Sequence, residues 1–172
     1  MVKFSEDFRN RMLERLNFYE KADGQGVKRD VEVTVVKHDN LLSEASTPSG
    51  DITWFSDEPR AQGGSGRGVS PLAYFLSSMG MCQMVHYAEY AAAKGLAIES
   101  LAIRIWGRFS VSHPRGFEEI RYDVEIVSPE NREVIRWLAA KAEEDCFVTQ
   151  TIKKACKVGG KVVHNGEAIL EL

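Results

Sequence analysis

Cysteine is scarce in this chain of 172 residues: there are three, Cys82, Cys146 and Cys156, an odd number with no C-x-x-C spacing. That excludes the disulfide framework of a small secreted domain and the usual spacing of a structural zinc site. No H-x-x-x-H run is present either. A basic excess is missing as well, since the net charge is −3. Without it little would hold a phosphate backbone, and no nucleic-acid partner is expected. The start of the chain, Met1 to Arg9, has no apolar core of a signal peptide, so a cytoplasmic location is expected. A permanent disulfide is disfavoured in that compartment, whereas a transient catalytic one is not. Long apolar runs are also lacking. The uncharged helical segment Pro71 to Ala88 carries Ser77, Ser78, Gly80, Gln83 and His86, too polar a set to cross a membrane. Nucleotide fingerprints are absent: Gly66-Arg67-Gly68 lacks the G-x-G-x-x-G spacing, and no Lys-Ser or Lys-Thr follows.

What is present reads as one ordinary globular domain over residues 1–172, with 44% hydrophobic and 27% charged residues. Residues 1–26 form a helical extension. Its helix is predicted from about Phe4 to Lys21, with Ser5 as cap, Glu6 and Asp7 in the first turn, and Phe4, Phe8, Met12, Leu16 and Tyr19 as its apolar stripe. Short strands are predicted around Val31, Val33 and Val35, over Leu42–Ala45 and over Ile52–Phe55. A glycine-rich polar loop, Ser56 to Ser70, follows. Ser70-Pro71 opens a long helix that Gly95 closes. Leu101, Ile103, Ile105, Gly107, Phe109 and Val111 alternate with polar residues, as do Ile120, Tyr122, Val124 and Ile126, which predicts a long antiparallel hairpin. Ser128-Pro129-Glu130 is read as the start of a second helix burying Val134, Ile135, Leu138 and Ala142. A break near Asp145 precedes a shorter helix over about Val148–Ala155, and residues 157–172 are read as a final strand pair. The order predicts an α+β fold with antiparallel sheets. The Pro71–Ala88 helix is apolar on more faces than one sheet can cover, so a homodimer is expected.

Redox chemistry is the leading functional reading, because thiolate is the reactive form of cysteine and two cysteines sit in recognisable settings. Cys146 falls just before a helix start, which favours its thiolate. Cys82 is mid-helix, where the macrodipole helps little; His86, one turn on, shares its face, and Arg60 and Arg67 precede the helix. The plainer reading is that Cys82 is a small buried hydrophobe and His86 a satisfied core histidine. Cys82, His86 and Cys146 also make three soft ligands, but with no ligand-spacing pattern behind them no metal is expected.

Two segments carry a resemblance. Ser56-Asp57-Glu58-Pro59, Gly63-Gly64 and Gly68-Val69-Ser70-Pro71-Leu72, followed by Leu76-Ser77-Ser78-Met79-Gly80-Met81-Cys82, is similar to the central signature of the OsmC/Ohr family of osmotically inducible and organic hydroperoxide resistance proteins. Asp145-Cys146-Phe147-Val148-Thr149-Gln150-Thr151-Ile152 resembles that family's second motif. The resemblance implies an intertwined homodimer, with antiparallel sheets wrapped around long central helices. It implies a thiol-dependent peroxidase in which Cys82 takes oxygen from an organic hydroperoxide and becomes a sulfenic acid. Cys146 would then close a disulfide, and a dithiol such as a lipoyl group would reopen it, with no bound cofactor. Members carry a glutamate just after the helix-opening proline, paired with an activating arginine. Here those positions hold Leu72 and Ala73, and Arg60, Arg67 or Arg29 would have to serve as the cation. A non-enzymatic small-molecule binder and a thiol redox sensor are the alternatives.

Overall fold

The computed structural model describes residues 2–154, and the backbone of residues 161–164 and 167–171. Cys156 lies outside the described residues.

Local chemistry sets the element boundaries. The first helix, α1 (Glu6–Ala22), starts where Ser5 accepts from the Phe8 N–H at 3.1 Å. Strands β1 (Thr34–Lys37), β2 (Ser43–Ser46) and β3 (Thr53–Ser56) form an antiparallel sheet in that order. The expected alternation of Val31, Val33 and Val35 does not bury them. All three are exposed, and among the described residues nothing covers them; the strand itself starts only at Thr34.

The central helix, α2, runs Pro71–Lys94, between a Ser70 cap and a left-handed Gly95, as the sequence predicts. It packs on α1, on β4, and on the two later helices α3 and α4 described next. Strands β4 (Ser100–Ser110) and β5 (Gly116–Val127) form the expected hairpin. The inward set holds through Gly107. A register shift between Arg108 and Phe109 then moves Phe109 and Val111 to the exposed side, against the sequence reading.

The next helix, α3 (Arg132–Glu144), begins later than predicted. Its cap is Asn131, which accepts from the Val134 N–H at 3.0 Å. Ser128 and Glu130 are used otherwise. The Ser128 hydroxyl donates to the Ala97 carbonyl, and Glu130 accepts from the Ala97 N–H, tying the exit of β5 to the α2–β4 connection. Helix α4 (Phe147–Lys154) and strands β6 (Lys161–His164) and β7 (Glu167–Glu171), an antiparallel pair, complete the chain. The core lies where α2, α3 and the hairpin meet. Tyr87, Ala91, Ile98, Leu138 and Ala142 are closed off there, with Leu101, Ile103, Val124 and Ile126 against them. The architecture is mixed α+β with antiparallel sheets. Among the described residues no helix is long and apolar enough to cross a membrane.

Candidate active site at the start of a short helix

The chain bends between α3 and α4, and Cys146 occupies the bend. Its carbonyl accepts from the Gln150 N–H at 2.9 Å, the first bond of α4. Its sulfur stands 3.5 Å from the Thr149 nitrogen and accepts that N–H. Cys146 thus fills a position usually held by Ser, Thr, Asp or Asn, and its side chain is buried. The α4 end is pinned onto α2 through buried Gln83, whose Nε2 donates to the Thr149 hydroxyl at 3.1 Å. Tyr90 of α2 donates its hydroxyl to Asp145 on the other side of the bend.

Cys82, half-buried on α2, is brought to the same place. Cys146 and the backbone N–H groups of Val148 and Phe147 at the start of α4 come near enough to act on its thiol. Burial pushes the Cys82 thiol up, and the neighbouring Cys146 sulfur adds to that, while the Val148 and Phe147 N–H groups pull the other way. The mid-helix position of Cys82 therefore does not deprive it of a helix terminus. The help comes from α4, not from α2. Both cysteines are free thiols.

The candidate cations lie elsewhere. Arg60 Nε donates to the Ser65 carbonyl at 3.4 Å, and Arg67 Nε to the Ser65 hydroxyl at 3.1 Å. The Arg29 guanidinium sits 4.8 Å from the centre of the Phe18 ring. The contacts these three arginines make are with residues other than the two cysteines. The loop that holds Arg60 and Arg67 is organised around buried Asp57. Its carboxylate accepts from the N–H groups of Glu58, Ser65 and Arg67 and from the Ser65 hydroxyl. The Ser65 hydroxyl is the main cause holding that carboxyl down at about 2. The loop's glycines serve this close folding. A Cβ on Gly64 would lie 1.8 Å from the Glu58 carbonyl oxygen, and one on Gly68 2.6 Å from that of Phe55.

His86 is buried, and its Nδ1 lies 3.1 Å from Glu89 Oε2 on the same helix. The other Glu89 oxygen has Arg15 Nε of α1 at 3.3 Å as an ion-pair partner, but off the line of a hydrogen bond. The His86 ring packs against Phe147, with centroids 5.8 Å apart. The sequence reading gives Gln83 and Thr149 no role of their own and does not single out Glu89 or Arg15. Glu89 left a signal, as the lone acid in α2, three residues after His86 and seven after Cys82. Arg15 left none, because one arginine among several on an exposed helix gives no hint of its partner. Among the described residues no group of His, Cys, Asp and Glu side chains is arranged to hold a metal ion.

The family model described as OsmC-like protein matches residues 63–160, more than half of the chain. No curated protein sequence matches. Among solved structures, an OsmC-like protein from Mycoplasma pneumoniae is similar in fold, with a TM-score of 0.67 and 22% identity over 75% of this chain and 91% of that one. A putative osmotic stress induced and detoxification response protein from Psychrobacter arcticus matches with a TM-score of 0.62 and 14% identity, over 82% and 93%. An organic hydroperoxide resistance protein OsmC from Legionella pneumophila matches with a TM-score of 0.56 and 19% identity, over 74% and 91%. With the family model covering Cys82, Cys146 and more than half of the chain, this chain belongs to the OsmC/Ohr family.

Proposed function

We propose that this protein is a thiol-dependent peroxidase that reduces organic hydroperoxides to alcohols. The observation that supports the reading is that Cys146, at the N-terminus of α4, is among the groups acting on the Cys82 thiol of α2. The Cys82 sulfur attacks the distal oxygen of the hydroperoxide. An S–O bond forms, the O–O bond breaks, and an alcohol leaves. The sulfenic acid then condenses with the Cys146 thiol, releasing water and forming a disulfide. A dithiol of lipoyl type restores both thiols by exchange. The α4 N–H groups of Val148 and Phe147 are suited to hold negative charge on the Cys82 sulfur as it reacts.

The working unit in this proposal is a homodimer in the cytoplasm. Leu72, Phe75, Met81 and Val85 are exposed apolar side chains of α2 that a second copy would cover. Sedimentation of the purified protein at twice the chain mass is the result this requires.

The decisive assay is consumption of tert-butyl hydroperoxide by the purified protein with dihydrolipoamide as reductant. Activity is expected in the unmodified chain and lost in Cys82→Ser. Cys146→Ser is expected to accumulate the sulfenic acid, visible by mass spectrometry, in place of the intramolecular disulfide. An unmodified protein that consumes no hydroperoxide with lipoyl or other dithiols would overturn the reading.

A further inference from the structure

We propose that Gln83 and Thr149 are positioning residues for the Cys82–Cys146 pair: the hydrogen bond between their side chains holds the start of α4 against α2, so that the two thiols meet already aligned for disulfide closure. The inference rests on the peroxidase reading above and adds the groups that set the second of its steps.

A short chain of contacts runs through the interior. The Cys146 sulfur accepts the Thr149 N–H at 3.5 Å, which sets the direction of the sulfur. The Thr149 hydroxyl in turn accepts from Gln83 Nε2 at 3.1 Å. Gln83 directly follows Cys82 on α2. The clamp therefore grips each helix beside its cysteine, one residue from Cys82 and three from Cys146. Gln83, Thr149 and Cys146 are all buried, so water does not compete for these bonds. Among the described residues the Gln83–Thr149 bond is the one hydrogen bond between side chains of α2 and α4. Gln83 also lies close enough to Tyr122 of β5 to act on its hydroxyl, so the amide is held from the hairpin side as well.

Apolar packing would not give this alignment. It is non-directional, whereas a hydrogen bond is met only near about 3 Å and over a narrow range of angles. A disulfide is as exacting, with Cα atoms roughly 4.4–6.8 Å apart and Cβ atoms turned toward each other. Cys146 sits in a bend, where such an alignment is easily lost. Gln150 Nε2 donates to the Glu143 carbonyl at 3.0 Å, but that bond stays within the α3–α4 segment and does not fix it against α2. Tyr90 of α2 holds Asp145 on the α3 side of the bend. Gln83 holds Thr149 on the α4 side, so the bend is gripped from α2 on both flanks of Cys146. A buried amide left unpaired is costly, which makes glutamine a poor core filler and a good register pin.

In the step concerned, the Cys82 sulfenic acid and the Cys146 thiol form an S–S bond. The S–O bond breaks, and the hydroxyl leaves with the thiol proton as water. The clamp takes no part in making or breaking these bonds. It orders the start of α4 while the cysteines are still thiols, so closure does not have to. Ordering one residue's backbone corresponds to about tenfold in an equilibrium constant, which sets the size of the effect.

The test is the equilibrium between dithiol and disulfide in glutathione buffers, read as the linked Cys82–Cys146 peptide by mass spectrometry. There the protein dithiol and glutathione disulfide give the protein disulfide and two glutathione thiols, and no hydroperoxide is needed. Thr149→Val keeps the N–H and the shape but loses the hydroxyl, and is expected to lower the equilibrium constant by about tenfold. Gln83→Leu should do the same, the double variant should lose no more than either single one, and Thr149→Ser should recover the unmodified value. Variants whose Tm falls while the constant stays within about twofold would overturn the proposal, because residues that only stabilise the fold behave that way. If Gln83→Leu does not fold, Thr149→Val set against Thr149→Ser decides. An unchanged constant in every variant, in a protein that turns over hydroperoxide, sinks the clamp alone. A lowered constant in Thr149→Val, in a protein that turns over none, upholds the clamp and sinks the peroxidase reading alone. A chain that forms no Cys82–Cys146 disulfide at any glutathione ratio overturns both.

Discussion

Asp57 and Glu89 are both carboxylates closed off from solvent, and they are held in opposite ways. Asp57 takes all its donors from its own loop: three backbone N–H groups and one hydroxyl, with every contact within ten residues. Glu89 takes a histidine from its own helix and an arginine from a different one, far away in the chain. The first arrangement is local and fully satisfied, so it shapes a loop. The second joins two helices, leaves one oxygen without a hydrogen bond, and orients a buried histidine ring. The lesson is that burial of a carboxylate does not reveal its task; the sequence distance and the charge of its partners do.

The largest effect should come from Glu89→Ala. It strands a buried histidine and an arginine, and breaking such a set costs about 3 kcal/mol of global stability. Chemical denaturation measures this directly. An equal loss of global stability in Asp57→Ala would break the comparison, because that loop would then belong to the cooperative core.

A smaller effect is expected from Gly64→Ala. The new Cβ would meet the Glu58 carbonyl oxygen at 1.8 Å and Asp57 Oδ1 at 2.8 Å. Overpacking of this sort costs roughly 1–3 kcal/mol. Its cost should fall on the loop, seen as faster cleavage within residues 58–68 by limited proteolysis while alkylation of Cys82 is unchanged.

The smallest is a pH effect. The folded-state value of Asp57 is lowered from 3.8 to about 2, so its contribution is fully present above 3.8 and is lost as pH falls through about 2. Hydrogen exchange at the Ser65 and Arg67 amides should therefore show extra opening only in that window, once the intrinsic pH dependence is divided out. Opening that begins well above it would mean that Asp57 is not the brace.

Much of the fold was legible. Ser70, Pro71 and Gly95 mark the ends of α2 because capping is chemistry within a few residues, and the alternation in β4 and β5 follows from the pleat. The start of α3 was misread because Ser128-Pro129-Glu130 has the composition of a helix start, while Ser128 and Glu130 are spent on Ala97, some thirty residues away. The site was legible in part. Cys82, Cys146 and His86 stood out by type and spacing, and Arg60 and Arg67 by proximity in the chain. Arg15 could not stand out, since its role exists only once α1 lies on α2.

By itself the sequence determined where α1 begins, where α2 begins and ends, which helix opens with a long uncharged run, and that two motifs of a thiol family are present, because each of these depends on neighbours a few bonds or one helical turn apart. Only the tertiary structure decided that the start of α4 meets the middle of α2, and that a lone acid on α2 meets an arginine from α1. The physical reason is that a hydrogen bond or ion pair needs its atoms within a few ångströms, and between distant segments that separation is set by how helices pack, not by spacing along the chain.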